Sequence, residues 1–146
     1  MSLENPIFSV KTVLTLCGNL TATTNGKSID ALGASAVAFV YNYGDTTTFT
    51  SATADFKLQE SSDDSSYADI SGAVMTQHTT TQDAKKHCLA ISMIGRKRYI
   101  RPVLTKGGTT LATAATGAAN NGGVLLAGNL AQSLTSASYD SFVYVV

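Results

Sequence analysis

A polar turn between two alternating segments, residues 56–60 and 67–70, most constrains how this chain can fold. Phe56 and Leu58 share one side of an extended backbone, and Lys57 faces the other side. The run of Ser and Asp between the segments favours a chain reversal, because these side chains bond to their own backbone. The sequence therefore predicts a β-hairpin in which residues 55–61 pair with residues 67–70.

Several other segments share the two-residue period of β-strands. The clearest is residues 35–43, where both faces are apolar, as is typical of a central strand covered on both sides. Further strands are predicted at residues 27–32, 89–93, 98–104, 124–127 and 142–146. A tight turn at residues 94–97 predicts a second hairpin between residues 89–93 and 98–104, with Pro102 at a sheet edge or bulge because it cannot donate to a ladder. Residues 71–82 have no period and predict a long loop.

The expected fold class is all-β, an antiparallel β-sandwich or jelly roll. No segment combines a 3.6-residue period with helix caps, and nothing alternates strand with helix. The 146 residues suffice for one core without metal or disulfide support. Because assembly is expected in a cytoplasm, Cys17 and Cys88 are expected to be reduced and buried, with a disulfide between them as the alternative. The expected divisions are an extended arm at residues 1–12, a domain at residues 13–138 and a C-terminal strand or tail at residues 139–146.

Both ends of the chain are apolar, although the termini of a monomer are normally polar and frayed. The residues concerned are Leu3, Pro6, Ile7 and Phe8 at one end and Phe142, Tyr144 and Val146 at the other. We expect at least one end to be buried against another subunit, because a free β-prone tail promotes aggregation.

The ten basic and ten acidic residues balance, which argues against a general nucleic-acid binder. Their distribution is uneven: basic residues concentrate in residues 85–106, and acidic residues crowd the predicted hairpin. Two readings stay open, either two solvated turns or complementary patches that meet across a subunit boundary. In the second reading the polar rim of the contact consists of Arg96, Lys97, Arg98 and Arg101.

No catalytic, cofactor-binding or metal-binding motif stands out in the sequence. His78 and His87 lie outside any nucleophile or zinc motif and are expected to be structural or solvated. Asp63 and Asp64 lack the spacing of a calcium loop and fit a Ser/Asp turn better. The expectation is a protein that is not an enzyme, has no signal peptide or membrane span, and assembles in a cytoplasm.

Tyr residues at 41, 43, 67 and 99 leave two alternatives open. They lie in strand contexts, where aromatic side chains usually pack in a core or in a cross-strand pair. The other reading is a surface platform for stacking against sugar or single-stranded nucleic acid.

Two short patterns give the chain a resemblance to small virion structural proteins of tailed bacteriophages. Residues 58–69 fit an L-x-E-S-x-D-G-x-x-aromatic-x-D hairpin, and residues 97–101 fit the K-R-Y-I/V-R strand that follows it. The resemblance covers residues 26–106. The chain departs from the pattern at the hairpin turn, where Ser65 stands in place of the usual Gly, and again after Lys106.

The resemblance implies a capsid cement or decoration protein on the surface of a virion. Such proteins bind the major capsid protein and each other, as dimers or trimers, and hold the shell together without covalent bonds. It implies no membrane partner, no cofactor and no direct contact with nucleic acid. The alternatives are a tail or baseplate-associated β-module that binds host glycan, and a head-completion or connector subunit.

Overall fold

A computed structural model describes residues 10–16, 22–43, 48–78, 85–112, 122–129 and 139–146 of the protein. The described residues form ten strands and no helix, which confirms the all-β class; they accordingly include no helix that could cross a membrane. The strands are β1 (Lys11–Thr15), β2 (Thr24–Asn25), β3 (Ile29–Asp30), β4 (Ala36–Asn42), β5 (Thr48–Ser61), β6 (Ala68–Val74), β7 (Lys86–Ser92), β8 (Tyr99–Ala112), β9 (Gly122–Gly128) and β10 (Ser141–Val145).

The strands form two sheets. The first has the order β1-β9-β4-β7-β10, and the second has the order β2-β8-β5-β6, with β3 also paired to β8. The expectation of purely antiparallel pairing is wrong for the first sheet, because β10 runs parallel to β7, with Phe142 opposite Cys88. The parallel start is fixed by Asp140, whose N–H donates to Lys86 O at 2.8 Å and whose Oδ2 accepts from Lys86 N at 2.7 Å.

The core lies between the inner faces of the two sheets. Phe39 of β4 is fully buried, and its ring centroid lies 5.6 Å from that of Phe56 on β5. Val37, Phe39, Tyr41 and Tyr43 all belong to this core, whereas Ala36 and Ala38 form a separate buried cluster on the other face of β4. The prediction of a central strand with two apolar faces is therefore confirmed.

The predicted hairpin after Phe56 is confirmed: Gln59 lies opposite Asp69, and Glu60 lies opposite Ala68. The loop predicted from residue 71 is wrong at its start, since β6 continues to Val74. A register shift between Lys57 and Gln59 and a positive φ of 78° at Gly72 let this strand continue without a regular apolar period.

The second predicted hairpin, between residues 89–93 and 98–104, is wrong. The turn itself forms, with Gly95 at a φ of 71° and Arg96 N donating to Met93 O at 3.2 Å. It connects the two sheets, because β7 pairs with β4 and β10, whereas β8 pairs with β5 along most of its length. Strand β8 pairs with β5 along one edge and with β2 and β3 along the other, which leaves no place for β7 beside it.

Pro102 lies in β8 at the break between its short neighbours β2 and β3. Its carbonyl accepts from Gly26 N at 2.8 Å, so the missing N–H of the proline faces the interrupted edge. The predicted sheet edge or bulge is wrong, because β8 is an inner strand of the second sheet and its pairing with β5 is regular at Pro102; the proline is accommodated where the neighbouring strand is interrupted. Strand β1 begins at Lys11, inside the segment expected to be an arm; residues 1–9 and Cys17 lie outside the described residues.

Candidate interaction surfaces

The outer face of the second sheet is a polar network centred on Gln59. Arg101 donates to Gln59 Oε1 from Nε at 2.9 Å and from Nη2 at 2.8 Å, while its guanidinium lies 3.8 Å from the centroid of the Tyr67 ring. Gln59 Nε2 donates to Asp69 Oδ1 at 2.7 Å, and Lys57 Nζ donates to Asp69 Oδ2 at 2.7 Å. The basic strand and the acidic hairpin therefore meet within one chain.

Asp63 organises the turn of the hairpin. Its Oδ1 accepts from the backbone N–H groups of Ser65 at 3.0 Å and Ser66 at 2.9 Å, and from Ser61 Oγ at 2.7 Å. These hydrogen bonds favour the carboxylate and lower the pKa of Asp63 well below its ordinary value. The side chain closes a polar turn, as the sequence predicted.

Asp64 is the left-handed residue of this turn, with a φ of 59°. The expected departure from the glycine pattern at Ser65 is wrong by one residue: counted from Leu58, the Gly of the pattern falls on Asp64. The Asp64 carboxylate accepts from Ser28 Oγ at 2.6 Å and from the Tyr67 hydroxyl, and these bonds lower its pKa. Asp tolerates this backbone region because its short side chain bonds locally. The turn is thereby fastened to the segment before β3.

The four basic residues expected at a rim differ in their surroundings. Arg98 donates to both carboxylate oxygens of Asp30, at 2.9 and 2.8 Å, and this pair lowers the pKa of Asp30. Lys97 is exposed, and Arg96 is half-buried, with no described partner for its Nε. Arg101 belongs to the Gln59 network. Two of the four are thus already paired within the chain.

The outer face of the first sheet is apolar at its centre, and the register places the polar residues Thr12, Asn42, Lys86 and Ser92 toward its ends and one edge. Small side chains occupy its centre, where Ala38 and Ala90 are fully buried. Larger ones lie toward the edges, where Leu14 of β1 is 67% exposed and Tyr144 of β10 is 49% exposed. The register places on this face Leu14, Ala36, Ala38, Val40, Cys88, Ala90, Val124, Leu126, Phe142 and Tyr144. We call this the apolar face.

Only part of the apolar face could be predicted from the sequence. Leu89, Ile91 and Met93 alternate with small residues, which predicted small side chains on the second face of this strand. The sequence did not predict that five strands would place such faces side by side. The alignment depends on pairings between residues far apart in the chain, such as Ala38 with Ala90 and with Leu126.

The C-terminal residues expected as anchors form the edge strand β10 of the chain's own sheet. Phe142 packs on the apolar face, where its ring stacks on that of Tyr139 with centroids 6.1 Å apart. Val143 and Val145 pack against the core, while Tyr144 and Val146 are exposed. The N-terminal candidates Leu3, Pro6, Ile7 and Phe8 lie outside the described residues.

The tyrosines divide between core and surface. Tyr41 and Tyr43 are buried, whereas Tyr67 and Tyr99 are partly exposed with arginine guanidinium groups over their rings. Within the described ranges, no three His, Cys, Asp or Glu side chains gather where they could hold a metal ion.

The sequence matches no model of a known protein family. No curated protein matches it either. The two outer faces and the strand edges are therefore the observations from which a function has to be argued.

Proposed function

We propose that this protein is a structural protein of a tailed-phage virion, a cement or decoration protein on the capsid surface. In this proposal the two sheets form a β-sandwich of the jelly-roll class, and homo-oligomers, dimers or trimers, bind the major capsid protein and stabilise its lattice by non-covalent contacts. The observation that carries the proposal is the contrast between the polar outer face of the second sheet and the apolar face of the first.

The polar face has little to gain from a partner. Gln59, Arg101 and Asp69 already satisfy one another, so a partner would have to break these bonds before forming its own. Exposed ion pairs of this kind add at most about 1 kcal/mol each to stability. This face suits the side of a virion protein that remains in water.

The centre of the apolar face is already buried within the chain, and what a partner would bury is its exposed edges; that burial is favourable, because removal of apolar area from water is the main driving force of association. Leu14 and Tyr144 project at its opposite edges, and aromatic side chains are frequent anchors in protein interfaces. The same face belongs to a chain with no net charge, which suits dense packing beside many neighbours.

Both edges of the first sheet are also suited to assembly. Among the described residues, strands β1 and β10 each pair with one neighbour in this sheet, so each presents one backbone edge to which another chain could add a strand. Contacts that are weak singly become strong when repeated over a lattice. A cement protein needs such repeated contacts and no active site.

The alternatives receive less support from the surface. A glycan-binding platform needs accessible aromatic faces, yet Tyr41 and Tyr43 are buried and Tyr67 is covered by Arg101. A connector subunit would form a closed ring, and no feature of the described residues favours a ring over a lattice contact.

The proposal is tested by co-sedimentation with shells of the major capsid protein encoded in the same phage genome. Wild-type protein should saturate these shells. Leu14→Ser and Tyr144→Ser should each weaken binding by about 5- to 30-fold, the range for loss of an interface anchor worth about 1–2 kcal/mol.

Ile94→Ser is the matched control, because Ile94 is 86% exposed but lies in the turn between the sheets, away from the apolar face. It should bind as the wild type does. Failure of the wild-type protein to bind any shell, or equal losses in all three variants, would refute the proposed role of the apolar face.

A further inference from the structure

The two histidines of the chain meet at one end of the core. Their ring centroids lie 4.1 Å apart with the ring planes at 41°, and the side chains are only 6% exposed at His78 and 3% exposed at His87. His87 belongs to β7 of the first sheet. His78 follows β6 and exchanges two backbone hydrogen bonds with Ala54 of β5, at 3.0 and 3.1 Å. The pair therefore joins the two sheets.

The surroundings of the two imidazoles favour their neutral forms. The Tyr43 hydroxyl lies 2.8 Å from His78 Nδ1, and the Tyr43 ring packs edge-on against both imidazoles. Among the described residues, neither ring nitrogen of His87 has a hydrogen-bond partner. A protonated imidazole carries two N–H donors and a charge, and burying both without partners is costly.

Charged groups around the pair act in both directions. Asp55 of β5 and Asp140, just before β10, favour protonation, whereas Lys85, just before β7, opposes it. Both carboxylates already accept hydrogen bonds, Asp55 from Gln77 Nε2 at 2.9 Å and Asp140 from Lys86 N at 2.7 Å. From β4 and the residue after it, the groups facing the pair are the phenols of Tyr41 and Tyr43, which are neutral at physiological pH.

Burial outweighs the two carboxylates. Loss of solvent, with the neighbouring His87 as the next cause, lowers the pKa of His78 from 6.5 to about 4. Loss of solvent also lowers the pKa of His87. Each ring thus stays neutral in the folded protein at a pH where it would be charged in water.

We propose that His78 and His87 form an acid-sensitive latch between the two sheets. When both rings are neutral, they hold the segment 75–78 of the second sheet against β7; when either is protonated, the segment separates from the first sheet and admits water. The latch rests on the fold alone and holds whether or not the protein binds a capsid.

The latch has a defined pH window. The open or unfolded state binds protons with the ordinary pKa of 6.5, and the closed state binds them only near the lowered value, about 4 for His78. The stabilisation is therefore complete above pH 6.5 and is lost as the pH falls from 6.5 toward 4. The carboxylates of Asp63 and Asp64, whose pKa values are lowered from 3.8, change the stability only at a lower pH, below this window.

A direct test follows the Cε1–H resonances of the two histidines by NMR in the folded wild-type protein. Because the chain contains only two histidines, both signals can be followed without assigning either of them. Neither ring should titrate with the ordinary pKa of 6.5 while the protein remains folded. If either ring titrates near pH 6.5 without a change in fold, the latch does not exist. This test needs no variant to fold.

A second test compares urea unfolding between pH 7 and pH 5 in the wild type and in His87→Phe. Phe keeps an aromatic ring against Tyr43 and sacrifices no hydrogen bond, since His87 has none among the described residues. As the pH falls, the equilibrium constant for unfolding rises by up to about 10-fold per pH unit for each additional proton that the unfolded state binds. The wild type should take up more protons on unfolding than the variant does, and both stability profiles should be flat above pH 7.

Amide exchange locates the opening. Corrected for intrinsic rates, the amides of Ala54 and His78 should lose protection between pH 7 and pH 5 in the wild type and less in His87→Phe. The inner strand β4 should keep its protection over the same range. Identical slopes in both proteins, or equal loss of protection throughout the chain, would overturn the latch.

Discussion

Removal of the Phe39 ring is the sharpest test of the core. Phe39 is fully buried on the inner face of β4, between Leu89 of β7 and Leu125 of β9, and its ring packs against that of Phe56. Phe39→Ala should lower the free energy of unfolding by about 3–5 kcal/mol through lost transfer energy and a residual cavity. A domain of this kind has about 5–15 kcal/mol in total, so the variant should be marginal.

A second substitution makes the test specific to this packing. A Cβ added at Gly123 would lie 2.5 Å from Phe39 Cε2 and 2.8 Å from the carbonyl oxygen of Thr15. Gly123→Ala should therefore cost about 1–3 kcal/mol through overpacking. In the double variant the ring is gone but the Thr15 carbonyl remains, so the combined cost should fall short of the sum by about 1 kcal/mol.

The assay is urea denaturation of the three variants and the wild type, followed by far-ultraviolet circular dichroism. Ile94→Ala is the control, because it removes a large apolar side chain from an exposed turn and should change stability by less than about 0.5 kcal/mol. An unchanged midpoint in Phe39→Ala, or strict additivity with Gly123→Ala, would mean that the ring does not lie between the sheets against β9.

The hairpin and the buried thiol carry the remaining predictions. Asp64→Gly should lower the urea midpoint less than Asp64→Ala, because only glycine adopts a φ near 59° freely; equal midpoints would contradict the left-handed turn. The low pKa of Asp63 means that the hairpin loses stability as the pH falls below about 3.8, and Asp63→Asn should flatten the midpoint profile there. Burial raises the pKa of the Cys88 thiol to about 12, so in a Cys17→Ser variant a thiol reagent should react only after urea unfolding, and labelling of the folded protein would show that this face opens. In the wild type, added reductant should leave the melting temperature unchanged; a large fall would reveal a disulfide.

Local patterns predicted the parts of the fold that depend on neighbouring residues. The two-residue period of residues 35–43 directly indicates which side chains face the core, because successive side chains of a strand point to opposite faces. The Ser/Asp run of the hairpin likewise encodes its own turn. Both predictions hold in the structure.

Pairings between distant strands could not be read from the same patterns. A turn such as that at Gly95 looks the same whether the next strand pairs with the previous one or crosses to another sheet. The match of β5 with β8 decides between them, and it depends on residues some forty positions apart, such as Leu58 and Pro102. The parallel course of β10 depends in the same way on Asp140 meeting Lys86.

For the candidate surfaces, too, local patterns located individual residues but not their partners in the fold. The sequence located the charges of Arg98 and Arg101, but not that Asp30 and Gln59 of the same chain would bind them. His78 lay in a segment without a period and His87 at the start of a strand, so neither suggested the other. Their contact arises only when the two sheets pack together.

A cryo-electron microscopy map of the virion would test the proposed binding of the apolar face to a phage capsid. We expect density for the two-sheet fold on the outside of the shell, repeated over the lattice, with Leu14 and Tyr144 turned toward the major capsid protein or a neighbouring copy. Density confined to the tail or to a connector ring would contradict the account. Contact with the shell through the polar network around Gln59 would contradict it equally.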